Sequence, residues 1–206
     1  MGLNEEFISS GRLDDLSMVH AGIKALMDAE VSQATNVMVC FDNEEVGSAT
    51  KQGGDSDFLK TILERIVLAL GKDREDFLRS LSESFMISAD LAHAVHPNLG
   101  EKHDPVVRPV LGKGPVIKAS QSYTSDSDSS AVYEMICINA GVNVQKFVNR
   151  SDMRGGSTIG PISSTHLPIR SVDMGTPILA MHSIREFGAV KDHFDCIKSF
   201  TEFFRI

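Results

Sequence analysis

Carboxylate and imidazole side chains follow three short apolar segments of this sequence. The segments and the side chains after them are residues 36–41 with Asp42, Glu44 and Glu45; residues 85–87 with Asp90 and His93; and residues 178–181 with His182. Open α/β sheets build their sites outside the carboxyl ends of their strands, so these side chains are expected to converge. Carboxylates and imidazoles gathered at one point suit a divalent metal ion.

Each of these groups also has a simpler interpretation. The adjacent Glu44 and Glu45 are typical of a solvated loop, Asp90 could cap a helix, and His182 could be a satisfied histidine of the core. From the pattern alone, a metal site and these simpler interpretations both stay open.

The spacing of Asp90, His93 and His96 is i, i+3, i+6. This spacing predicts a single helical turn that presents Asp90 and His93 to one point before Pro97 ends it. Both side chains are therefore candidates for the same site.

Composition favours one α/β domain that acts on a small molecule or a peptide. The chain has 206 residues, 42% of them hydrophobic, which suffices for one sizeable core. A formal charge of −8 without clustered Lys and Arg argues against a nucleic-acid partner. No apolar run approaches the roughly 20 residues of a membrane span, and no signal peptide is evident, so we expect a cytoplasmic protein with no membrane partner.

The three cysteines, Cys40, Cys137 and Cys196, are far apart and set among apolar residues. This arrangement forms neither a metal-binding CxxC pair nor a disulfide framework. We therefore predict three reduced cysteines in the core.

Apolar periodicity supplies the elements that must position these groups. Helices are predicted at residues 15–29, 57–70, 73–81, 131–141 and 192–204, with another helix start at 162–166. Strands are predicted at residues 36–41, 85–87, 145–149, 170–173 and 178–181. Residues 97–115 are predicted to be a long loop, residues 123–130 a Ser/Asp-rich loop leading to a helix cap, and residues 153–160 a glycine-rich turn.

Five blocks of the sequence resemble, in order, the signature blocks of the aspartyl aminopeptidase family of zinc metallopeptidases. They are RLDDL at 12–16, DNEEVGS at 42–48, SADLAHAVHP at 88–97, KGPVIK at 113–118 and AMHSIRE at 180–186. Five ordered blocks are far more specific than one short motif. The resemblance implies an α/β zinc-exopeptidase-like fold with a mixed, largely parallel central sheet flanked by helices.

The resemblance also implies two zinc ions and the removal of N-terminal residues from peptides, preferably acidic ones. Asp14 is the implied bridge between both metals, Glu45 and His182 complete the ligands of one metal, and Asp90 serves the other. Glu44 is the implied general base that takes a proton from the metal-activated water.

Three further positions match residues that contact substrate in the family: His93, Lys118 and Tyr123. An ammonium group inside a pocket would favour an acidic P1 side chain by charge pairing, although Lys118 could equally be a surface lysine. The glycine-rich turn from Arg154 to Gly160 could cradle an anion with its backbone amides, and packing explains it as well.

The family supplies another histidine ligand from an N-terminal segment and also a separate dimerisation domain, and residues 1–206 match neither. We therefore expect an incomplete chain, the C-terminal portion of a metallo-aminopeptidase catalytic domain, with one metal site lacking a ligand. His20 could substitute for that ligand. The expected partners are peptide substrates and either a second copy of the chain or a complementing chain.

Two other functions stay open. The chain could be a catalytically inactive metal-binding fragment or assembly subunit of such an enzyme. It could also be a zinc deacylase or carboxypeptidase that shares the site architecture. The block sequences favour the aminopeptidase.

Overall fold

Strands in this protein form two mixed sheets in the computed structural model, which describes residues 1–153 and 155–206. The strands are β1 (Phe7–Ser10), β2 (Phe85–Ala89), β3 (Ala92–His93), β4 (Val116–Ala119), β5 (Gln145–Val148), β6 (Arg170–Gly175), β7 (Pro177–Leu179) and β8 (Glu186–Ala189). One sheet has the order β1-β8-β7-β3 and the other has the order β2-β6-β4-β5. The pairs β2–β6, β3–β7 and β4–β5 are parallel, and the other pairs are antiparallel.

The two sheets meet where two segments of the chain run directly from a strand of one sheet into a strand of the other. β2 continues through Asp90 and Leu91 into β3, and β6 continues through Thr176 into β7. The Asp90 amide donates to the Met174 carbonyl at 2.9 Å. A Cβ atom at Gly175 would lie 1.9 Å from the Asp90 carbonyl oxygen, so this close approach requires glycine. The joint therefore fixes the backbone that carries Asp90.

Six helices flank these sheets within the described residues, and the predicted mixed α/β fold is confirmed. They are α1 (Leu13–Asp28), α2 (Phe58–Ala69), α3 (Arg74–Glu83), α4 (Ser127–Asn139), α5 (Ile159–His166) and α6 (Val190–Phe203). The strands divide between two sheets rather than forming the one central sheet that was expected. Among the described helices, none has both the length and the apolar character that a bilayer crossing requires.

The main core lies where α1, α4 and α6 contact the sheets. Its buried side chains include Met18 from α1, Tyr133 and Cys137 from α4, and Cys196 and Phe200 from α6. The Tyr133 hydroxyl lies 3.0 Å from the Ser199 hydroxyl, so this buried phenol is satisfied by a hydrogen bond. The core thus packs α1, whose first turn contains Asp14, against α6.

Residues 36–41 form no strand, contrary to the prediction. Their apolar run packs through Val39 and Phe41 against a second cluster, formed by Leu59, Phe77, Leu81 and Leu167. The segment has no ladder partner in the part of the chain that the structure describes, so burial alone accounts for its apolar character. Cys40 is exposed, so the prediction of a core cysteine is wrong there, whereas Cys137 and Cys196 are buried as expected.

Helix α4 begins at Ser127, four residues before the predicted start, inside the Ser/Asp-rich segment. The Asp126 carboxylate accepts from the Ser129 amide at 2.8 Å, and the Ser129 hydroxyl oxygen accepts from the Asp126 amide at 3.0 Å. This reciprocal capping box satisfies two free helix donors, which makes the polar segment the first turn of the helix.

Replacing Asp126 with Ala is expected to lower the free energy of unfolding by about 1 kcal/mol, because the cap is lost. Urea denaturation measures the change. Asp128→Ala is the matched control, since within the described residues the Asp128 carboxylate forms an exposed ion pair with Arg170 at 3.4 Å and caps no helix donor. Equal losses in both variants would contradict the capping role.

Candidate metal centre

Asp14 lies in the bend between β1 and the regular part of α1. Its backbone angles, φ −81° and ψ 111°, are extended, so the regular helix starts only after Asp15. The Asp14 side chain is 5% exposed. Its burial, together with the negative charges of Asp90 and Glu45, raises the pKa of Asp14 to about 7.

Asp14, Glu45 and His182, which the sequence predicts to meet, offer ligand atoms within 4.8 Å of one another. His182 Nε2 lies 3.0 Å from Asp14 Oδ2 and 3.2 Å from Glu45 Oε1. The Glu45 and His182 side chains are 58% and 60% exposed, so this group opens to solvent on one side. That exposure rules out the interpretation of His182 as a core histidine.

A second group of carboxylates shares Asp14 with the first. Asp14, Asp15 and Asp90 offer oxygen atoms within 4.8 Å of one another. Asp15 Oδ1 is buried and has no hydrogen-bond partner among the described residues. Burial, followed by the charges of Asp90 and Asp14, raises the pKa of Asp15 well above its ordinary value.

These residues fit a divalent cation. Three carboxylates in close contact repel one another, and an orphaned buried carboxylate oxygen is costly unless a proton or a cation satisfies it. Asp14, Glu45 and His182 supply two carboxylates and one imidazole, and zinc accepts both kinds of ligand. Three protein ligands that open to solvent are typical of catalytic rather than structural zinc.

Glu44 belongs to neither ligand group but lies beside both. It opens the short 3-10 turn Glu44–Val46, and its neighbour Glu45 turns toward His182. Burial raises the pKa of Glu44, and the charges of Asp90 and Glu45 raise it further. A carboxylate with increased proton affinity next to a metal site is suited to accept a proton.

One open cavity of about 750 Å³ is lined by Asp14, Glu45, His182, Asp90 and Glu44, whereas Asp15 does not line it. All eight predicted site residues line it, namely Asp14, Glu44, Glu45, Asp90, His93, Lys118, Tyr123 and His182. Gly155, Gly156 and Thr158 of the glycine-rich turn also line it, whereas Arg154, part of the same prediction, lies outside the described residues. The turn ends early, because Ile159 and Gly160 belong to α5.

The family described as aminopeptidase I zinc metalloprotease (M18) matches residues 1–204. The chain belongs to the M18 family. A probable M18 family aminopeptidase 2 from Clostridium acetobutylicum is 66% identical over 208 residues, which cover 100% of this chain and 48% of that protein. The chain spans about half the length of the curated relatives it matches.

Solved structures show the same fold as this M18 chain. A chain in the cryo-EM structure of the Ape4 and Nbr1 complex is 39% identical with a TM-score of 0.91, covering 99% of this chain and 40% of that one. The Saccharomyces cerevisiae mApe1 dodecamer is 28% identical with a TM-score of 0.86, covering 99% of this chain and 47% of that one. The zinc named in the family description agrees with the ligand types gathered here.

Lys118 is buried beside Asp90 in this M18 chain, at 2% exposure. Its ammonium group donates to the Asp90 and Leu91 carbonyl oxygens at 2.9 and 3.2 Å and lies 3.2 Å from Asp90 Oδ2. The interpretation of Lys118 as a surface lysine is therefore wrong. The Tyr123 ring centroid lies 5.3 Å from Lys118 Nζ, so both predicted substrate contacts lie at the same part of the cavity.

The helical turn predicted through Asp90 and His93 is wrong, because His93 lies in β3. The Ala92 amide donates to the Thr176 carbonyl at 3.0 Å, and this ladder bond replaces the helical one. His93 still lines the cavity, on the strand that follows the joint between the sheets. His20, considered as a substitute ligand, instead lies on α1 with its Nδ1 atom 3.0 Å from His193 Nε2.

Glu186 is a residue of the M18 site region that the sequence reasoning missed. It is 1% exposed and accepts hydrogen bonds from the backbone amides of Asp14 and His182. Asp14 lies 172 positions away in sequence, so spacing gives no sign of this contact. The local signal is a charged residue at the first position of an otherwise apolar strand.

Proposed function

We propose that this chain acts as a zinc-dependent aminopeptidase, with residues 1–206 as the C-terminal portion of the catalytic domain. The observation that carries the proposal is the meeting of Asp14, Glu45 and His182 at one end of a cavity, with Glu44 beside them. A purely structural metal site would not need a half-buried carboxylate, such as Glu44, that binds no ion. Membership of a family of zinc metalloproteases supports the same conclusion.

In this mechanism Asp14, Glu45 and His182 would hold one zinc ion. Zinc, when bound, lowers the pKa of a water molecule and polarises a carbonyl group. Glu44 accepts a proton from the water whose oxygen attacks the carbonyl carbon of the first peptide bond. As the bond between that carbon and the peptide nitrogen breaks, Glu44 returns the proton to the leaving amine.

We infer that Asp14 and Asp90 would hold a second ion, with Asp14 shared between the two sites. Asp14 belongs to both ligand groups, which supports a bridging role. Described residues supply only carboxylates at this second position, so its ligand set is weaker than the first. A cation there would be suited to anchor the free α-amine, which accounts for cleavage at the N-terminus.

The proposal assigns substrate contacts to His93, Lys118 and Tyr123, with an acidic P1 side chain paired to Lys118. Burial, followed by the charges of Asp90 and Asp173, raises the pKa of Tyr123 to about 12, so its phenol stays a neutral hydrogen-bond donor. The proposal also includes a cytoplasmic location and assembly with further copies or with a complementing chain. The mApe1 neighbour, described as a dodecamer, supports an assembly of copies.

Replacing Lys118 with Met is expected to lower selectivity for an N-terminal Glu over Gln by about 10-fold, because the charge attraction between the buried ammonium group and the acidic side chain is lost. The measurement is kcat/KM for a matched pair of Glu and Gln substrates. Lys102→Met is the control, because Lys102 lines the same cavity but is exposed. Equal losses for both substrates would mean that Lys118 acts only through Asp90.

Release of free amino acid from short peptides in the presence of zinc tests the proposed activity. The peptides carry Glu or Asp at a free N-terminus, and acetylated copies serve as controls. Release from the free peptides alone supports the aminopeptidase, and preference for the acetylated copies indicates the deacylase or carboxypeptidase instead. Zinc binding without release indicates the inactive metal-binding subunit.

A further inference from the structure

Glu186 opens β8, the strand that lies between the two strands leading to Asp14 and His182. β8 pairs with β1 on one side, where Ser10 is opposite Glu186, and with β7 on the other, where Leu179 is opposite Phe187. The chain leaves β1 toward Asp14 and leaves β7 toward His182. The central strand therefore places its first side chain between the two turns that carry ligands.

Both carboxylate oxygens of Glu186 are used by these turns. Oε2 accepts from the Asp14 amide at 2.9 Å, and Oε1 accepts from the His182 amide at 2.8 Å. Glu186 is 1% exposed and forms no ion pair within the described residues, so these two amides are what stabilise its charge. Hydrogen bonds to a buried ionised acceptor are among the stronger ones in proteins.

The two turns need such a restraint because both contain residues in unfavourable backbone conformations. Arg12, Ala180 and His182 have φ angles of 59°, 58° and 65°, in the left-handed region that residues with a Cβ atom seldom adopt. The turns also touch, since a Cβ atom at Gly11 would lie 3.0 Å from the Ile184 carbonyl oxygen. Conformations of this kind persist where surrounding contacts determine them.

We propose that Glu186 is a positioning residue that clamps the backbones of Asp14 and His182, so that their ligand atoms are already close before a metal binds. The clamp fixes the peptide units, and the side chains then meet at 3.0 Å. This inference rests on the proposed zinc site. Outer partners that orient metal ligands typically change metal affinity or activity by about 10- to 100-fold when they are lost.

The test compares Glu186→Gln with Asp192→Asn in the 206-residue chain. Asp192 is a matched control because it is also 1% exposed and its carboxylate also accepts two backbone amides, those of Gly112 and Gly114, each at 2.7 Å. In each substitution an NH2 group replaces one carboxylate oxygen, so a donor then faces a backbone amide that is itself a donor. Any general cost of disturbing a buried carboxylate is therefore common to both variants.

Two readouts are measured on folded protein: zinc affinity, by competition with a chromophoric chelator, and hydrogen exchange of the Asp14 and His182 amides without metal. We expect Glu186→Gln to weaken zinc binding by about 10- to 100-fold and to speed exchange at both amides. Asp192→Asn should change neither. Unchanged exchange at both amides in Glu186→Gln, or an equal loss of zinc affinity in both variants, would overturn the clamp.

The exchange readout separates the clamp from the metal site. If the unmutated chain binds no zinc but Glu186→Gln still speeds exchange at both amides, the zinc site proposed above fails and the clamp is supported. If zinc binds normally to Glu186→Gln, the zinc site stands and Glu186 does not position its ligands.

Discussion

Replacing Glu44 with Gln is expected to lower the rate of N-terminal residue release by about 100- to 10,000-fold, the range typical of a lost general base. Gln keeps the size of the side chain but cannot accept a proton from water at neutral pH. Glu44 is not among the residues whose ligand atoms converge, so zinc affinity should stay within about 3-fold of the unmutated chain. Initial rates and a chelator titration on the same preparation measure the two quantities.

The neighbouring Glu45 provides the matched control, since it carries the same side chain one position along the chain. Glu45 Oε1 lies 3.2 Å from His182 Nε2, so Glu45→Gln should weaken zinc binding first and lower activity as a consequence. Excess zinc should then restore activity in Glu45→Gln but not in Glu44→Gln. Restoration of Glu44→Gln by zinc would show that Glu44 is a ligand rather than the base.

Replacing His182 with Ala is expected to weaken zinc binding by at least about 100-fold. Loss of a group that only orients a metal ligand already lowers metal affinity or activity by about 10- to 100-fold. His182 is itself a proposed ligand and supplies the imidazole of the set. The remaining Asp14 and Glu45 would offer two carboxylates, which are a poorer set for zinc than carboxylates with a nitrogen ligand.

His20→Ala is the control for this substitution. Both histidines are exposed, but His20 lies beside His193 on the helices α1 and α6, apart from the cavity-lining residues. Zinc affinity should be unchanged in His20→Ala. A similar loss in the two variants would place the zinc at the pair of histidines, and no loss in His182→Ala would refute the proposed ligand set.

Local patterns in the sequence predicted much of the fold because they act over one or two helical turns. The apolar spacing of residues 57–70 and 73–81 gave α2 and α3 nearly to their ends, since one face of each helix packs on a core. The segments before Asp90 and His182 are strands, as expected. The resemblance of the sequence blocks to the family then predicted that Asp14 belongs to the same site.

Other features depend on what a segment packs against, which local spacing does not contain. Residues 36–41 have the apolar run of a buried strand, yet they pack on α2 and α3 without a ladder. Asp90 and His93 have helical spacing, yet the backbone of residues 90–92 forms sheet hydrogen bonds with the backbone of residues 174–176. Glu186 contacts Asp14 across 172 positions, so only the folded chain reveals it.

Asp90 occupies the joint between the two sheets, and this has a mechanical consequence. Asp14 is attached to one sheet through β1, whereas Asp90 follows β2 of the other sheet. The two carboxylates that would share the proposed second ion therefore come from different sheets. An ion held by both would cross-link the two sheets, in addition to the backbone joint that already fixes Asp90.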